Sequence, residues 1–168
     1  MEHYINREMY LQKLINRRNN GEVKVITGSR RCGKSWLLSK IYTNWLLSQG
    51  IDKENIILIT FDTDDLEETR DLTDKGNLKA YLREKITSDS EEYYVFLDEI
   101  QEVDGFEKIV NGLNKKDNVD VYVTGSNAYM LSTEIATLLS GRYVEIPMLP
   151  LSFREFVGAN SYGDNLQK

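Results

Sequence analysis

The sequence has almost nothing with which to build cross-links or metal clusters. Cys32 is the single cysteine among 168 residues, so no internal disulfide can form. His3 is the single histidine, and one Cys with one His cannot make a cluster of metal-ligand spacing. Long apolar runs are missing as well, none approaching the roughly 20 residues that cross a bilayer. The start, Met1-Glu2-His3-Tyr4, has no basic stretch leading into an apolar one, so no signal peptide is read there. These absences exclude a membrane partner and make a reducing cytoplasm the expected compartment. Positive charge is also short: 21 Lys and Arg face 27 Asp and Glu, a net charge of -6. Such a chain is a poor general binder of nucleic acid, a local basic patch aside.

What is present is globular. Hydrophobic residues at 40% and charged residues at 29% argue against wholesale disorder. The length suits one domain with its own core. Short β-rich runs alternate with helical patterns. Tyr4 to Asn19 carries Tyr4, Tyr10, Leu11, Leu14 and Ile15 largely on one helical face, ended by Asn20-Gly21. Strands are expected at Val23–Thr27, Asn55–Phe61, Tyr93–Leu97, Val119–Thr124 and Tyr143–Met148. The second of these is nearly continuous in apolar residues, which suits a strand buried on both faces. Helices are expected with Leu37, Leu38, Ile41 and Trp45 before Gly50, with Leu78, Tyr81, Leu82 and Ile86, and with Phe106, Ile109, Val110 and Leu113. Asp104-Gly105-Phe106-Glu107 reads as a capping box with Asp104 as N-cap. A short helix around Ile135, Leu138 and Leu139 ends at Gly141. Asp62 to Asp74 is an acidic loop whose spacing does not fit a calcium site. Strands alternating with helices imply an α/β fold, a parallel sheet with helices on both faces.

Gly28-Ser29-Arg30-Arg31-Cys32-Gly33-Lys34-Ser35 satisfies the P-loop pattern in full, between a strand and a helix. Glycines let the backbone turn its N–H groups inward onto phosphate oxygens, and the helix N-terminus adds partial positive charge. Lys34 is expected to reach the β- and γ-phosphates and Ser35 to ligate Mg²⁺, with ATP the expected nucleotide. Trp36 follows directly and is taken with the loop as a nucleotide-contacting residue. Arg30 and Arg31 either strengthen the local field, contact a neighbouring subunit, or are simply solvated. Cys32, at a helix N-terminus beside Lys34, is expected to be a reactive thiol that nucleotide protects.

The third strand ends in Asp98-Glu99, the Walker B pattern. Asp98 is expected on the metal and Glu99 as the general base for an attacking water. The fourth ends in Thr124-Gly125-Ser126-Asn127, where Ser126 or Asn127 would sense the γ-phosphate. Asn114-Lys115-Lys116-Asp117 matches the N-K-x-D pattern that reads guanine. It ends a helix instead of following a strand, and Asp98 is not followed by x-x-Gly, so guanine specificity is not expected.

Taken together, Val25 to Ser35, Leu97-Asp98-Glu99-Ile100-Gln101, Thr124 to Asn127, Leu139-Ser140-Gly141-Arg142 and Pro150-Leu151-Ser152-Phe153-Arg154-Glu155-Phe156 resemble the AAA+ P-loop ATPases of bacteria and archaea that usually carry a C-terminal domain of unknown function. The likeness runs from about Arg7 to Phe156. It implies a five-stranded sheet in the order 5-1-4-3-2 and an ATPase acting with Mg²⁺. It also implies Arg142 as an arginine finger, with a cis role or an ion pair to Glu145 as alternatives. A helical segment over 1–20, an ATPase core over 21–150 and the start of a further region over 151–168 are the expected divisions. Relatives of this kind continue into a helical lid, so the chain is expected to be a truncated form whose own hydrolysis is slow and whose full-length protein forms a homo-oligomer. A nucleotide-gated interaction module with little turnover is the competing reading. A small-molecule kinase is disfavoured by Glu99 and by the lack of an arginine-rich lid.

Overall fold

Side chains of successive strand residues point to opposite faces of a sheet, and here each face has its own core. Val23 and Val25, Tyr93, Val95 and Leu97, and Val119, Val121 and Val123 pack into one hydrophobic cluster; Ile26, Tyr94, Phe96 and Tyr122 pack into the other. The computed structural model describes residues 7–61, 71–125, 137, 139 and 141–150.

Five parallel strands form one sheet: β1 (Val23–Thr27), β2 (Ile56–Thr60), β3 (Tyr93–Asp98), β4 (Val119–Gly125) and β5 (Tyr143–Pro147). Their order is β2-β3-β4-β1-β5, the expected order read from the other edge, with β4 between the P-loop strand and the strand that ends in Asp98. β2 is an edge strand, and Leu58 is 40% exposed. The expectation of burial on both faces fails there, because the apolar run does not reveal that the sheet stops at β2.

Helix α1 (Glu8–Arg17) buries Tyr10, Leu11 and Leu14 on the same side as the helix that follows the P-loop. That helix is continuous over 34–48, as α2 (Lys34–Trp36), a π-helical stretch (Leu37–Tyr42) and α3 (Thr43–Ser48). The wider turn shifts the phase of the buried face. Tyr42 and Leu46 enter the core, while Trp45 is half-buried and stacks on Tyr42 with centroids 5.9 Å apart. The Thr43 hydroxyl donates to Leu38 O at 2.7 Å, a second bond on a carbonyl that also accepts from Thr43 N.

The opposite face is covered by α4 (Lys75–Lys85) and α5 (Phe106–Asn114). Asp74, read as the end of a loop, is the N-cap of α4, its carboxylate accepting from Asn77 N at 2.9 Å. The capping box assigned to α5 is overturned. Gly105 occupies the N-cap in the left-handed region at φ 71°, and no side chain among the described residues caps the helix. The glycine that the motif placed inside the helix is where the chain turns into it. The short helix expected around Ile135, Leu138 and Leu139 falls mostly outside the described residues, as does 62–70.

Candidate functional site

β1, β3 and β4 bring their C-terminal ends to one edge of the sheet, where ligands of open α/β folds bind. β1 runs into Gly28, whose backbone stands at φ 155°. A Cβ there would lie 2.5 Å from Met148 O and 2.8 Å from Cys32 Sγ, so the loop closes only over glycine. Arg31 at φ 65° and Gly33 at φ 100° complete the curl, and the helix starts at Lys34 with no side-chain cap. The first amides of a helix have no acceptor within it, so these N–H groups are left without a partner from the helix.

Lys34 is buried, at 3% exposure. Its ammonium donates to Gly28 O at 3.0 Å and Ser29 O at 2.9 Å, and stands 4.0 Å from Glu99 Oε1. Ser35 Oγ donates to Asp98 Oδ2 at 2.6 Å. Thr124 Oγ1 donates to Asp98 Oδ1 at 2.6 Å and accepts from Glu99 N at 3.0 Å. The Asp98 carboxylate is thus held from both oxygens at the mouth of the loop, with 1% exposure. A serine hydroxyl and a carboxylate 2.6 Å apart are the hard oxygen donors that Mg²⁺ takes, and the donor set fits that ion.

Glu99 leaves the strand in the left-handed region, φ 59° and ψ 48°. For a residue with a Cβ this costs on the order of 1 kcal/mol or more, and such outliers cluster at functional sites. Ile100, fully buried, draws the chain back into the core one residue later. Glu99 is turned toward Lys34, and the Gln101 side-chain amide donates to its other oxygen.

The sequence model of the AAA domain family matches residues 20–157. The chain belongs to that family. An uncharacterized protein of Haemophilus influenzae is 48% identical over 157 residues, covering 94% of this chain and 38% of its own length. An uncharacterized protein of Methanocaldococcus jannaschii is 35% identical over 158 residues, covering 91% of this chain and 31% of its own. The chain therefore spans about a third of the length of the curated relatives it matches. Among solved structures, Cdc6p from Pyrobaculum aerophilum superposes with a TM-score of 0.58 at 13% identity, over 94% of this chain and 52% of that one, a likeness of fold alone. The AAA domain is a nucleotide-binding, ATPase-like module on a parallel sheet.

Within this AAA domain, Lys34, Ser35, Asp98 and Glu99 come together as expected from their spacing. Ser29, Arg30, Arg31 and Trp36 are exposed around the loop. Cys32, expected as a reactive thiol, is buried, at 3% exposure, against Gly28 and 3.8 Å from Lys34 Nζ, an enclosure that opposes fast reaction. Ser126 and Asn127 lie outside the described residues. Arg142 stands at the other end of the sheet. Its carbonyl accepts from Val23 N at 2.9 Å, so the length of β1, roughly 13 Å at about 3.3 Å per residue, separates it from Gly28. Glu145, the ion-pair alternative, accepts instead from the Thr27 hydroxyl at 3.1 Å. Asn114 ends α5 and donates to Gly21 O at 3.1 Å, also away from the phosphate loop.

Two residues at the site were missed in the sequence. Thr124 was readable in principle: Leu97 pairs with Val123, so once β3 and β4 are neighbours Asp98 must lie beside Thr124. Arg7 left no local signal. Its buried guanidinium donates to Cys32 O at 3.0 Å and to Leu149 O at 2.8 Å, with Tyr10 beneath it at 4.5 Å. It ties the phosphate loop to the segment leaving β5.

Proposed function

We propose that this AAA domain binds Mg-ATP on the loop 28–35 and hydrolyses the β–γ phosphoanhydride with water as acceptor, driving a conformational switch in a larger protein. The observation that carries this reading is the joined set Ser35–Asp98–Thr124–Glu99 beside the buried Lys34. Lys34 would exchange the carbonyls of Gly28 and Ser29 for β- and γ-phosphate oxygens, and the loop amides would take the remaining phosphate oxygens. Ser35 and Asp98 would hold the magnesium, which when bound neutralises phosphate charge. Glu99 would take the proton from water, its carboxylate oriented by Gln101. Arg30, Arg31 and Trp36 are proposed to contact nucleotide from the rim, and Ser126 or Asn127 to sense the γ-phosphate. ATP is preferred to GTP because Asn114-Lys115-Lys116-Asp117 is remote from the loop.

Arg142 is proposed to act on a neighbouring subunit's nucleotide, since its own loop lies a strand's length away. The proposed core is 21–150, preceded by the helical segment 1–20 and followed by a further region beginning at 151–168, in a cytoplasmic homo-oligomer. One observation favours the rival module with little turnover: both Glu99 oxygens are already engaged, by Gln101 and Lys34.

Phosphate release by the full-length wild-type protein separates the two readings, and Glu99→Gln tests the assigned base. ATP affinity should persist while phosphate release falls roughly 10²–10⁴-fold, the usual contribution of a general base. Turnover that survives Glu99→Gln but is lost in Asp98→Asn would reverse the assigned roles. A full-length wild-type protein that binds ATP and releases no phosphate would establish the rival.

A further inference from the structure

We propose that the groove between α4 and α5 docks an acidic amphipathic helix of a partner protein. The groove encloses about 360 Å³ on the outer side of these two helices, across the sheet from the helix that follows the P-loop. Its apolar lining is the buried Leu82, Ile109 and Leu113 with the half-buried Ile86. Its rim is basic, with Lys79 and Arg83 on the α4 side and Lys108 and Lys116 on the other, and no acidic residue lines it among the described residues. In a chain of net charge -6 this concentration of one sign is a local reversal. The four rim cations form no ion pair or hydrogen bond with any described residue, unlike Arg17, Arg18 and Lys24, which are each paired with a carboxylate.

Gly112 is an independent sign of an occupant. It lies inside α5, where glycine is disfavoured relative to alanine, and it is exposed on the groove. A Cβ added there would meet nothing within 4 Å. Neither a positive φ nor close packing by the described residues calls for glycine, whereas a helix crossing close over the α5 backbone would.

An apolar floor between two basic rims matches a helix with an apolar stripe at i, i+3, i+4 and i+7 flanked by carboxylates. A nucleic-acid strand matches it less well. Its phosphates suit the rims, but its bases need aromatic platforms, and none of the nine described lining residues is aromatic.

The test uses the whole chain and three fluorescein-labelled probes: a helical peptide with Leu at i, i+3, i+4 and i+7 spacing and Glu on the flanks, the same peptide with Lys for Glu, and a single-stranded DNA oligonucleotide. Anisotropy should show binding of the Glu peptide alone, with amide shifts at Lys79, Arg83, Gly112 and Lys116. Gly112→Leu fills the groove at an unobstructed helical position and should weaken binding at least about tenfold. The double variant Lys79→Glu, Lys108→Glu should weaken it further at low salt, and neither variant should change ATP affinity. The proposal is overturned by absence of binding, by amide shifts outside the groove, by unchanged affinity in Gly112→Leu, or by tighter binding of the DNA at the same residues.

Discussion

The Ser35 hydroxyl donates to the Asp98 carboxylate across 2.6 Å, joining the end of the phosphate loop to the end of β3. On its other oxygen, Asp98 is held by Thr124, which also receives the Glu99 amide. One buried hydroxyl therefore fixes both acidic residues.

Thr124→Val keeps the shape and removes that hydroxyl. Asp98 Oδ1 and the Glu99 N–H then lose their partners inside the protein, a loss of about 1–3 kcal/mol in urea denaturation. Phosphate release should fall more than ATP affinity, because the direction of Glu99 is disturbed while the loop is not. Thr124→Ser should restore both. Full stability and turnover in Thr124→Val would remove Thr124 from the account.

Cys32 should react slowly with an alkylating reagent in the folded protein, at a rate that follows unfolding. Its side chain is enclosed by the loop it belongs to. Saturating Mg-ATP, by stabilising the folded state, should slow labelling further; at 100 times Kd the stabilisation is about 2.7 kcal/mol. Native-state labelling as fast as that of a free thiol would show that the loop opens more readily than this packing implies.

At the far end of the sheet, Lys24 and Asp120 form an ion pair of 2.6 Å with both side chains buried. Burial pulls the Lys24 ammonium below the ordinary lysine value despite the carboxylate beside it. Asp120 also accepts from Asn19 N and the Tyr122 hydroxyl. Asp120→Ala should cost about 3–5 kcal/mol, since it strands a buried charge. Lys24→Met combined with Asp120→Leu should cost less than Asp120→Ala alone. ATP affinity of the folded protein should stay unchanged, because the pair lies at the strand ends opposite the loop. A loss below about 1 kcal/mol in Asp120→Ala would mean that water reaches Lys24.

The strands and the phosphate loop were legible because their signals are local. Val23–Thr27 followed by Gly28 and Gly33-Lys34-Ser35 states its own geometry, and Tyr93 to Glu99 gives the second half of the site. What escaped depends on who stands beside whom. Thr124 acquires its place only from the β3–β4 register, and Arg7 only from the meeting of α1, the loop and the exit of β5. The π-helical phase shift that exchanges Trp45 for Tyr42 and Leu46 accompanies the Tyr42–Tyr122 contact, 2.6 Å between hydroxyls eighty residues apart. The capping box failed because Gly105 can take φ 71°, and a turn there competes with a helix that starts earlier.

The most direct test of the nucleotide site is a calorimetric titration of Mg-ATP into the wild-type chain and into Lys34→Ala. Lys34 is the one buried cation among the described residues of the loop, and it stands between the loop carbonyls and Glu99. Saturable one-to-one binding is expected in the wild type, and loss of measurable binding in a Lys34→Ala protein that still melts cooperatively. Equal affinity in the two proteins would contradict a nucleotide site on this loop.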